Sequence, residues 1–179
     1  MEEEKNNQLA YTRPVISLLR KFTSFRPISY TSECAEAGRP ILPKYLLNFG
    51  YAVSIGYIFS DILIKVYDIE NEEIISNKKE EIVKYTVLDS LLWHTSASLV
   101  VPAVTIHTFV SGVSKIQNFI SKKNFNLKIP SRIGFLVPMI PTIAGLASIP
   151  FIIHPIDNLT DIVMDKYVRP FYLDKLKKD

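Results

Sequence analysis

Three long stretches of this chain lack the polar stripe that a water-facing helix shows every 3.6 residues. No Asp, Glu, Lys or Arg occurs between Asp89 and Lys115, nor between Arg132 and Asp157. Each gap exceeds the ~20 residues that cross ~30 Å of hydrocarbon. A third run, Tyr45 to Ile64, is interrupted only by Asp61 near its end. The pattern predicts an all-α membrane protein with about three transmembrane helices, near 45–64, 90–114 and 133–153. The last contains Pro138, Pro141 and Pro150, with Pro155 just beyond. Each proline removes a backbone donor, so a kinked or broken span is expected.

The flanks read differently. Val15, Leu18, Leu19, Phe22 and Phe25 form one apolar face on a segment that carries Arg13, Arg20, Lys21 and Arg26 and no acid between Glu4 and Glu33. That is an amphipathic basic helix, suited to mitochondrial targeting or to an anionic membrane surface. Arg39-Pro40-Ile41-Leu42-Pro43-Lys44 should break it at the membrane surface. The C-terminal tail is a second amphipathic helix, with Asp157 as its expected N-cap and Asp165 placed to pair with Arg169. The chain thus divides into a basic extension (1–44), a transmembrane domain (45–156) and an amphipathic tail (157–179). Met1–Gln8 and Leu176–Asp179 offer little apolar surface, so ordering them would call for neighbouring subunits of a larger assembly.

Charge and motifs narrow the chemistry. A net charge of +3, scattered along the chain, is no nucleic-acid footprint. Cys34 is the single cysteine, which excludes an internal disulfide and any CxxC site. Phosphate loop, nucleophile elbow and metalloprotease helix are all missing. The expectation is a protein that is not an enzyme, with no cofactor and no small-molecule substrate.

Within the apolar runs, polar and small residues mark contacts. Ala52, Gly56 and Ser60 recur every four residues, a small-residue stripe along which another helix can approach. Asp61 is costly inside a membrane unless paired, and Lys65 follows one turn later, in the favourable acid-before-base order. Ser90, His94 and Ser98 make a polar stripe for hydrogen bonds between helices, beside Trp93 as an interfacial anchor. His94 and His107 stand about 20 Å apart along one helix, too far to share a metal. His154 with Asp157, Asp161 and Asp165 is too sparse for a hard-metal site.

With three spans, the N-terminus and the acid-free 115–132 connector share a side carrying twelve Lys and Arg against nine opposite. That side is expected to face the matrix, leaving the C-terminus in the intermembrane space.

Several stretches resemble the mitochondrial fission process protein family. They are Arg26, Tyr30, Glu33, Glu36, Ala37 and Arg39; Tyr51, Tyr57 and Asp61; Asp89, Trp93, Ala97, Ser98, Pro102, Thr105 and Ile106; and Gly145-Leu146 through His154-Pro155-Ile156-Asp157 to Asp161, Asp165, Arg169 and Tyr172. The resemblance is collinear over residues 26–172, and the His-Pro-Ile-Asp motif is its most specific part. It implies a multi-pass protein of the inner mitochondrial membrane, acting in division or integrity of that membrane through partners. Those partners would include inner-membrane lipids, cardiolipin among the candidates. The alternative is a structural accessory subunit of a respiratory-chain or ATP-synthase complex.

Overall fold

The computed structural model describes residues 2–72, 76–122 and 134–172, and among them there is no strand. Helix α1 (Glu2–Ser24) leads through a 3-10 segment (Arg26–Tyr30) into the short α2 (Thr31–Ala37). Helix α3 spans Lys44–Asn71. Helices α4 (Ser76–His94) and α5 (Val101–Lys122) are joined by one π-helical turn, Thr95–Val100. After a 3-10 segment (Gly134–Met139), α6 (Ile140–Val163) continues into a second π-helical turn, Met164–Val168. Each π-helical turn lies just before a proline, Pro102 or Pro170. A proline ring displaces the carbonyl one turn back and supplies no donor to it, which favours a widened turn there.

Three helical stretches are long and apolar enough to cross a membrane: Lys44–Asn71, Lys78–Lys122 and Leu136–Tyr172. Phe49, Phe59, Leu63, Val104 and Phe151 are exposed on them. In lipid such side chains lose nothing by facing outward, so the bundle is held by close packing and polar contacts. The packed centre is Ala37, Ile106, Val110, Ile149 and Ile153, with Tyr30 and Ile152 against it. Two glycines permit the approach. A Cβ on Gly50 would lie 2.7 Å from the Ala35 Cβ; one on Gly145 would lie 2.6 Å from Val110 Cγ2 and 3.0 Å from the Ala37 Cβ.

The third span, expected to be kinked or broken, starts in the 3-10 segment around Pro138 and is one helix over Ile140–Val163, with Pro150 and Pro155 inside it. Four expectations need correction. Asp157 is mid-helix rather than an N-cap, and the tail continues α6 instead of forming a separate helix. Hydropathy marks only the apolar part of a helix, and the charged turns beyond it remain helical.

The third correction concerns the first 44 residues, read from sequence as a basic extension separate from the transmembrane domain. Residues of α2 are buried among α3, α5 and α6, with Ser32, Glu33, Glu36 and Ala37 all inaccessible. The segment runs antiparallel along α3. Arg20 pairs with Asp68; the Tyr57 hydroxyl donates to the Thr23 carbonyl (3.0 Å); the Ser32 amide donates to Ser54 Oγ (3.0 Å); the Tyr51 hydroxyl donates to Glu36 (2.7 Å). The fourth follows from it. The end of α1 lies beside the end of α3, opposite the end from which α3 starts, so α1 does not share an end with the 115–132 connector. Apart from Lys115 and Lys122, the basic residues of that connector fall outside the described residues, as do Met1 and 173–179.

The stripe of Ala52, Gly56 and Ser60 is split. Ser60 is buried and its hydroxyl donates to the Gly56 carbonyl (2.7 Å), but Ala52 and Gly56 face outward with nothing near a Cβ on Gly56. This chain's own helices meet at Gly50 and Gly145 instead.

Candidate functional site: a polar vestibule at one end of the bundle

Between the second half of α3 and the last turns of α4, the helices part around a cavity of about 310 Å³. Its polar lining comes from α2, α3, α4 and α6. Asp61 and Lys65 stand one turn apart on α3; Asp89, Ser90, Trp93 and His94 come from α4; Asp157, Asp161 and Arg169 come from α6 and its continuation; Glu33 comes from α2.

Asp61 is the hub. Lys65 Nζ lies 2.7 Å from its carboxylate and His94 Nε2 lies 3.1 Å from the same oxygen, so this intramembrane acid is doubly paired. Lys65 also donates to Ser90 Oγ (3.1 Å), and His94 Nδ1 is 3.3 Å from Ser98 Oγ. The Asp61–Lys65 pair and His94, expected from sequence as separate features, thus meet, and they tie α3 to α4. A second network closes the mouth. Trp93 Nε1 donates to Asp161 (2.8 Å), Arg169 spans Asp89 and Asp165, and the Tyr172 hydroxyl donates to Asp89. Tyr172 stacks on Tyr85 with ring centroids 5.4 Å apart. The Asp165–Arg169 pair forms as its spacing predicts.

The family motif divides by helical phase. Ile156 is buried and Asp157 lines the vestibule, whereas His154 and Pro155 are exposed and do not line it. His154 therefore takes no part in this site.

Helix α2 buries two acids that sequence reasoning used only for resemblance, and one of them, Glu33, lines the vestibule. Glu33 is buried, its carboxylate accepting from Ser32 Oγ (2.7 Å), and burial with Asp157 nearby pushes the carboxyl up to about 7. Glu36, one turn on, faces the other way. Burial alone would raise its carboxyl, but the Arg39 guanidinium and Tyr51 hydroxyl hold it below the usual range. The available signal was two acids spaced i, i+3 within Ser-Glu-Cys-Ala-Glu-Ala-Gly, where small neighbours allow enclosure on all sides.

Paired carboxylates and cations so arranged can brace helices and hold water. Among the described residues no group of three His, Cys, Asp or Glu is placed to hold a metal ion.

A helical bundle with three membrane-length helices, the charged Asp61, Lys65, Asp89 and Arg169 of those helices being paired, is, as a class, an integral membrane protein. The family model described as Mitochondrial 18 KDa protein (MTP18) matches residues 7–86 and 68–164, and the chain belongs to that family. It is 31% identical over 164 residues to Mitochondrial fission process protein 1 of Caenorhabditis elegans, covering 89% of this chain and 93% of that one. The human protein of the same name is 25% identical over 154 residues, covering 86% and 87%. An uncharacterized protein of Acanthamoeba polyphaga mimivirus is 36% identical over 160 residues, covering 88% and 80%. No solved structure matches. The family and the three apolar helices together fit a mitochondrial membrane protein.

Proposed function

We propose that this chain is a non-catalytic, multi-pass protein of the inner mitochondrial membrane that acts in division of that membrane through partners. The observation that carries the reading is family membership over most of the chain, joined to three membrane-length helices. The vestibule supports it, because its charged groups are spent on one another. Asp61, Lys65 and His94 fasten α3 to α4, and Arg169 fastens the end of the α6 continuation to α4.

The placement of α1 revises the sidedness. Among the described residues, the end holding α1 carries eleven Lys and Arg and the opposite end four. By the bias of basic residues toward the inside, the α1 end faces the matrix. The N-terminus keeps its expected compartment, and the C-terminus joins it there.

Depletion tests the function. Elongated mitochondria with intact respiratory complexes are expected. A destabilised complex with unchanged mitochondrial length would replace this reading with that of an accessory subunit. Recovery of the protein in the soluble fraction after carbonate extraction would defeat both.

A further inference from the structure

Toward the opposite end of the bundle from the vestibule, the turn after α2 and the middle turns of α5 enclose a groove of about 370 Å³. Arg39 and Pro40 line one wall; His107, Ser111, Ser114 and Lys115 line the other. The groove is basic. Glu36 is buried behind Arg39, accepting from its Nε at 2.8 Å, and does not line the groove. His107 Nδ1 lies 3.5 Å from the same carboxylate. Among the described residues no carboxylate pairs with Lys115, and the exposed Lys44 and Lys122 stand at the same end.

The depth of the groove is fixed by the chain. Lys115 is the first charged residue after Asp89, so it marks the border of the second apolar span. Val100, Val104, His107, Ser111 and Lys115 share one narrow face of the helix at 3.6 residues per turn. Val100 and Val104 on that face are exposed and point into the zone that hydrocarbon would fill. A cation with hydroxyls at the border, above bare aliphatic side chains, matches a phosphate headgroup above an acyl chain.

We propose that this groove binds the phosphate of an anionic phospholipid in the leaflet at that end, with an acyl chain along Val104 and Val100. Lys115 supplies the uncompensated charge, Arg39 a guanidinium held in place from behind by Glu36, and Ser111 a hydroxyl. The proposal rests on membrane insertion alone and is independent of the division role.

The test uses the full chain in detergent micelles, titrated with phosphatidylglycerol or phosphatidylcholine and read by native mass spectrometry. Phosphatidylglycerol is expected to bind in preference. Lys115→Gln should weaken it about fivefold, the effect of one basic residue near an anionic headgroup. Lys84→Gln, an exposed cation at the other end, should leave binding unchanged. Arg39→Gln is the less informative variant, because it strips the buried Glu36 of its partner. Equal binding of the two lipids, or equal loss in Lys115→Gln and Lys84→Gln, would overturn the proposal. Displacement of the lipid by inorganic phosphate in excess would assign the groove to a free anion and overturn it as well.

Discussion

Arg20 forms an ion pair with Asp68, and that contact places the N-terminal helix at the end of the bundle where α3 finishes. The pair itself is exposed on both sides, so Arg20→Ala should cost less than about 1 kcal/mol. Its importance is geometric. Residues 20–37 return along α3, which brings α1 and the continuation of α6 to one end of the bundle.

A protease experiment reads that geometry directly. With tags at either terminus, both tags should survive protease added to mitoplasts, and both should be lost once the inner membrane is dissolved. Loss of one tag alone would contradict the antiparallel course along α3. Loss of both would keep that course and reverse the compartment.

The glycines separate two kinds of small-residue contact. Gly145→Ala gains about 1 kcal/mol in helix propensity but must displace Val110 or Ala37, an overpacking that costs about 1–3 kcal/mol. A lowered melting temperature in detergent is the expected result. Gly56→Ala meets nothing within 4 Å and should melt at or above the unmodified temperature. If the two variants behave alike, the close approach of α2, α5 and α6 at Gly145 is misplaced.

Asp61 and His94 should be energetically coupled. In a double-mutant cycle of Asp61→Asn and His94→Phe, the interaction is expected to be about 0.5–2 kcal/mol, the range for contacting polar groups between membrane helices. Strict additivity of the two melting-temperature shifts would mean that the contact adds nothing to the packing.

Glu33 imposes a pH dependence whose sign follows from its burial. Its folded-state carboxyl is raised to about 7, so the folded protein favours the protonated form. That contribution is complete below the ordinary carboxylate value near 4.3 and is lost as pH rises through about 7. Melting in detergent should therefore fall with rising pH over this interval, and Glu33→Gln should flatten the slope. The comparison is needed because Asp61, Asp157 and His94 line the same cavity. An unchanged slope in Glu33→Gln would assign the pH dependence to those groups.

What the sequence determined by itself was the membrane class and the number of long apolar helices. Twenty or more residues without charge can satisfy their backbone in lipid only as helices, whatever their neighbours do. It also determined local pairs, Asp61 with Lys65 and Asp165 with Arg169, because i, i+4 spacing on a helix brings side chains together without help from the fold. Tertiary structure decided the rest. The sequence of α2 is polar and short, and its apolar pattern carries no mark of a buried helix; only the glycine gaps at Gly50 and Gly145 make room for it between α3, α5 and α6. Glu33 could enter the vestibule only through that insertion. Asp89 and Arg169 meet although they stand 80 positions apart in the chain. No local periodicity encodes such outcomes, since they depend on which helices approach closely and on which surface each one presents.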